Sequence, residues 1–133
     1  VTPLPRKEGD FVPKKKELTK AERIIKEERR LKRNYKEIQK DKLAVADGLI
    51  RRAAFMRASL EDMEVDLDAN GFVEMFRQGD QEPYERERPV ARQYQQMNKN
   101  YQSIIKQLTD LLPKEVAKKA ESDGFDDFVN RRA

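Results

Sequence analysis

Two heptad seams of nearly equal length constrain this chain more than any other feature. Ala46, Leu49, Ala53, Met56, Leu60, Met63 and Leu67 recur at alternating steps of three and four, and Val90, Tyr94, Met97, Tyr101, Ile104, Leu108 and Leu111 repeat the pattern. Side chains so spaced fall on one narrow stripe of an α-helix, which needs a facing helix to cover it. The spacing predicts helices over 41–68 and 89–112. Joined by about 20 residues, two such helices fold back as a long antiparallel hairpin. Ile50 and Ala54 widen the first seam on one flank, and Phe55 lies on another face, so one partner helix leaves apolar groups uncovered.

Composition carries that argument to assembly. Charged residues make up 41% of the 133 residues and apolar residues 37%, against roughly 25% charged in an ordinary globular domain. A monomer built from this sequence is poorly filled, so burial against further copies is expected. The expected oligomer interface takes Leu49, Ala53, Phe55, Met56, Leu60 and Met63 from the first long helix. From the connection and the second it takes Phe72, Phe76, Tyr94, Met97 and Tyr101. The bland reading of Tyr94, Met97 and Tyr101 is core packing at helical spacing, which outweighs a ligand pocket.

The rest of the chain divides around the hairpin. Residues 1–17, with Pro3, Pro5, Pro13 and a lysine run, read as a flexible basic arm, and 113–133 as a tail. Residues 18–112 form the helical unit. Thr19 followed by Glu22 has capping-box spacing and predicts a first, basic helix running through Gln39, with Ile24, Leu31, Tyr35 and Ile38 on one stripe. Asn70-Gly71 closes the second helix. Over 71–88 a short β-hairpin or loop is inserted, in which Phe72, Glu74 and Phe76 alternate with Val73, Met75 and Arg77, and Gly79-Asp80 supply the turn. Pro89 suits the first turn of the third helix. The fold class expected is therefore mostly α, a helical hairpin with a basic N-terminal helix, assembled into an oligomer.

Chemistry is constrained by two absences. Cysteine and histidine do not occur, which removes the thiolate nucleophile, the commonest general base and the commonest metal ligand. The glycines are isolated and form no phosphate-cradling loop, and Ser59, Ser103 and Ser122 have no histidine to activate them. No catalytic residue, metal or cofactor is assigned. The segment from Asp66 through Asp68, Asn70 and Gly71 imitates the opening of a calcium loop, but the closing position is Arg77, and a helix C-cap is the better reading. No apolar run approaches the ~20 residues of a membrane span, and the first residues lack the apolar core of a signal peptide, so a soluble, cytoplasmic protein is expected.

Charge is unevenly placed. Residues 1–42 hold 15 Lys or Arg against 8 Asp or Glu, while the remainder is net acidic. Lys14, Lys15, Lys16, Lys20, Arg23 and Lys26, continuing through Arg29, Arg30, Arg33 and Lys36, form a candidate DNA-binding face that meets phosphates by charge. Glu22, Glu27, Glu28 and Glu37 are interleaved, and the competing reading is a solvated helix.

The segments RRLKRNYKEIQKDKLAVADGLIRRAAFMRASLEDMEVDLDANGFVEMF and VARQYQQMNKNYQSIIKQLTDLLPKE, together 74 of the 133 residues, resemble the small terminase subunits of tailed bacteriophages and prophages in the P27-like group. The likeness is strongest over 47–72 and 98–114. The resemblance implies a non-catalytic subunit in the cytoplasm of a bacterial host cell that binds double-stranded viral DNA, forms rings or other oligomers, and regulates a large subunit carrying the packaging ATPase and nuclease. Other groups of small subunits carry a helix-turn-helix, and no compact trihelical segment of that kind precedes the seams here. In this frame the tail, with Phe125, Phe128 and Val129 at one-turn spacing, is expected to dock on the large subunit, the competing reading being that these side chains fold back onto the subunit's own hairpin. The alternative function is a helical scaffold or adaptor with no nucleic-acid role.

Overall fold

Thr19 starts the first helix as its spacing demands. In this computed structural model, which describes residues 17–116, the Thr19 hydroxyl accepts the Glu22 amide at 3.2 Å and donates to the Glu22 carboxylate at 3.0 Å. One orphan backbone donor is thereby satisfied, and Glu22 answers the hydroxyl instead of the Thr19 amide. Helix α1 spans Lys20–Asn34 and is shorter than the periodicity predicts. Tyr35 still donates its amide to the Leu31 carbonyl at 2.9 Å, but its own backbone has left the helix, at φ −110° and ψ 24°. The turn that follows carries Ile38 into the core, where it is 5% exposed. Burial of that side chain at the end of the bundle, worth about 1.5–3 kcal/mol, outweighs one more exposed helical turn.

A 3-10 turn at Lys40–Lys42 leads into α2, Leu43–Asn70, at ~1.5 Å per residue an element on the order of 40 Å long. Helix α3, Pro89–Asp110, carries proline in its first turn, where the missing amide costs nothing. Both neighbours run antiparallel to α2. Arg23 near the start of α1 reaches Asp62, while Lys32 near its end lies 3.8 Å from Asp47. On the other side the Tyr94 hydroxyl donates to Glu64 at 3.0 Å. The antiparallel hairpin of α2 and α3 is thus present, with α1 laid along the first part of α2.

The buried surface of α2 is wider than a two-helix seam because two helices share it. Ala46, Ala53, Ala54 and Ala58 are all at most 3% exposed, and side chains this small let both neighbours approach closely. The core gathers where the end of α1, the start of α2 and the end of α3 converge, around Leu31, Ile38, Ile50 and Leu108. Tyr35 and Thr109 tie α1 to α3 there through their hydroxyls at 3.1 Å.

Between α2 and α3 stands a two-stranded antiparallel hairpin, β1 at Val73–Phe76 and β2 at Tyr84–Glu87. Gly79 takes a positive φ of 59° in its connection, a conformation open to glycine at little cost. A polar clasp fixes the stem. Gly71, at φ 83°, caps α2 by donating its amide to Leu67 at 2.8 Å. Arg88 then donates to the Gly71 carbonyl at 2.7 Å and to Asp66 at 2.9 Å, and Asn70 donates to the same Asp66 oxygen at 2.6 Å. The acidic stretch that imitates a calcium loop is therefore a helix terminus whose first carboxylate is already engaged.

Hydrogen bonds from Asn70 and Arg88 hold the Asp66 carboxyl below its ordinary range. A carboxylate depressed in the folded state contributes stability that is fully present above its unfolded pKa of about 3.9 and lost as the pH falls through the lower folded value. Asp66→Asn is accordingly expected to be less stable than the wild type at neutral pH, the two converging below about pH 4. Thermal melts across pH check this, and a gap of constant size down to the acid end would count against the clasp.

Candidate nucleic-acid interface

Helical geometry sorts the basic residues of α1 into two sets. The first faces α2 and is committed to carboxylates. Arg23 meets Asp62 at 2.6 Å and Glu61 at 3.4 Å, and Lys20 lies 3.9 Å from Asp62 and over the Phe55 ring. Arg30 forks onto Glu27, with its Nε at 2.9 Å from one oxygen and a terminal nitrogen on the other. The second set is Lys26, Arg29 and Arg33, spaced so that they follow one another up the outer face. All three are exposed and pair with no carboxylate among the described residues. Lys36 lies in the turn after α1 and is exposed. Lys14, Lys15 and Lys16 lie outside the described residues.

Beside this row, between α1 and α2, runs a cleft of about 330 Å³. Its lining includes Arg23, Lys26, Arg30, Arg33 and Arg57 against only Glu27 and Glu61. Glu27 is the pivot, because its side chain is only 13% exposed, with Arg30 on both oxygens and Arg57 at 3.7 Å. The hydrogen bond to Glu27 holds the Arg30 guanidinium more firmly charged than in free solution. Tyr101 from α3, and then the nearby Glu27, do the same for Arg57. Helices α1 and α2 thus contribute to one cationic surface. Exposed ion pairs such as Arg23–Asp62 are worth only about 0–1 kcal/mol, so a phosphate arriving from solvent competes with them on nearly even terms.

Arg57 and the cleft were not among the residues singled out from the sequence. Arg57 sits four residues after Ala53 and three before Leu60, next to seam positions, and only the path of α1 across α2 makes it part of a basic surface. The expected interface residues separate into three groups. Ala53 and Leu60, at 0% and 6% exposed, are consumed by the subunit's own core. Leu49, Met56, Met63, Tyr94, Met97 and Tyr101 are half-buried. Phe55 and Phe72 are 50% and 56% exposed, and Phe76 is half-buried, edge-on to Tyr84 at 5.9 Å between ring centres.

Among the described residues no group of three or more acidic side chains is placed to hold a metal ion, and no helix is long and apolar enough to cross a membrane. No family model, curated protein or solved structure matches the chain.

Proposed function

We propose that this chain is the small, DNA-recognising subunit of a viral genome-packaging terminase. In this reading it binds double-stranded DNA through α1, self-associates, and presents the DNA to a large subunit that carries the ATPase and nuclease. The observation that carries the DNA-binding part is the outward row Lys26, Arg29 and Arg33 beside a cleft whose basic residues outnumber its acidic ones. Likeness of 29–76 and 90–115 to P27-like small subunits supplies the packaging context. The proposed contact is to the phosphate backbone, since exposed long cations such as Lys26, Arg29 and Arg33 on a helix exterior favour charge over base readout.

Retention of duplex DNA by the wild-type protein tests this directly. Affinity is expected to fall with salt, with a log–log slope of roughly −0.9 for each phosphate neutralised. Absence of retention at low salt would remove the DNA-binding part. The competing reading is a helical scaffold, favoured by Lys20, Arg23 and Arg30 being tied to carboxylates of the same chain. The same titration decides between them, because a scaffold whose cations are internally paired leaves DNA unbound.

A further inference from the structure

The β1–β2 hairpin is built as if something were missing from one side of it. Opposed residues of an antiparallel pair share a face, and the register sets Glu74 against Arg86 and Phe76 against Tyr84. That face is self-contained. Arg86 donates to Glu74 at 2.8 Å and lies 3.4 Å above the Phe76 ring, which meets Tyr84 edge-on. On the opposite face Val73 stands across from Glu87 and Met75 across from Glu85. Val73 is 50% and Met75 68% exposed, and both glutamates are exposed as well. Two strands of four residues are marginal by themselves in water, and the hairpin packs extensively on no helix.

A surface of opposite character lies on α2. Val45, 61% exposed, and Phe55, 50% exposed, flank an open hollow of about 420 Å³ lined by Gly48, Arg51, Arg52 and Phe55 together with Met56. The hollow exists because position 48 has no side chain, and a Cβ there would approach only the tip of Arg52. The hairpin face is apolar with two carboxylates, and the α2 face is apolar with two exposed guanidinium groups, Arg51 lying 3.4 Å from Asp47 of the same helix and Arg52 on the Gly48 carbonyl at 3.5 Å. The two cannot meet within one chain. Arg52 and the end of α2 at Asn70 are ~27 Å apart along the helix axis, and the hairpin stem is fixed beyond that end by Arg88.

We infer that the hairpin of one subunit docks on the Gly48 hollow of a second copy, Val73 and Met75 entering the apolar hollow while Glu85 and Glu87 meet Arg51 and Arg52. The contact joins two different surfaces and so propagates head to tail, giving a ring where the rotation closes. It rests on the self-associating part of the proposed function and is independent of DNA binding.

Charge reversal tests it in the full-length protein. Arg51→Glu with Arg52→Glu, and separately Glu85→Arg with Glu87→Arg, are each expected to turn the assembled wild type into monomers by sedimentation and native mass measurement. All four sites are exposed, and circular dichroism verifies that each variant keeps its helices. Mixed in equal amounts, the two variants present a matched pair at every junction of an open or even-membered assembly and are expected to reassemble as alternating copies. Wild-type-sized assemblies from either variant alone, or failure of the mixture to reassemble, would overturn the inference while leaving self-association through another surface intact. A wild type that is itself monomeric would overturn both.

Discussion

Replacing Lys26, Arg29 and Arg33 together by glutamate is expected to abolish duplex DNA binding near physiological salt while leaving the fold in place. These are the exposed α1 cations that no carboxylate of the described residues already occupies. Each phosphate contact removed takes roughly 0.9 from the slope of log affinity on log salt, so the triple change removes roughly 2.7 per subunit and replaces attraction by repulsion. In the proposed assembly the loss would be multiplied, since several copies of the face would engage DNA together. Stability should fall by only a few tenths of a kcal/mol per site, the scale of like-charge neighbours on a helix surface. Fluorescence anisotropy at several salt concentrations, with a parallel thermal melt, reads both effects. Unchanged affinity and slope would place the DNA contact elsewhere and leave α1 as a solvated helix.

The largest expected effect on stability belongs to Leu108→Ala. Leu108 is 0% exposed and belongs to the cluster that joins all three helices, where its removal leaves a cavity that α2's alanines are too small to fill. Large-to-small changes at such sites cost about 2–5 kcal/mol, a substantial part of the 5–15 kcal/mol that holds a typical domain together. Half-buried Met63 offers a comparison, because truncation at an edge that solvent can reach costs less. Urea unfolding of both variants checks the order. A smaller loss at Leu108 than at Met63 would contradict the placement of the core at the α1–α2–α3 convergence.

The parts of this architecture that were legible in the sequence are those set by local chemistry. Gly71 and Gly79 adopt the positive φ values that a helix terminus and a hairpin turn require, and Thr19 and Pro89 sit where their capping preferences place them. The end of α1 was not legible. Asn34 and Tyr35 carry no glycine or proline, Ile38 keeps the helical spacing, and only the drive to bury Ile38 against other helices turns the chain. The widening of the α2 seam at Ile50 and Ala54 was legible, but which neighbour covers each flank was not, because a stripe of small residues such as Ala54 and Ala58 records only that something packs closely. The basic face was visible as charge, but periodicity alone does not separate cations aimed at Glu61 and Asp62 from those aimed at solvent. That distinction depends on the direction in which α1 crosses α2.

Glu27 gives the cleft a property that a purely basic surface lacks. Its carboxylate acts as a resident counter-ion, already holding Arg30 by a two-pronged contact with Arg57 close by. An incoming anion therefore displaces an occupant instead of filling a vacancy, and the two arginines meet it with much of their rotational freedom already restricted. Such exchange makes binding less sticky and more selective. In the proposed DNA contact a single weak anion would gain too little to dislodge Glu27, whereas a run of regularly spaced phosphates, engaging Lys26, Arg29 and Arg33 at the same time, would bring enough charge to do so.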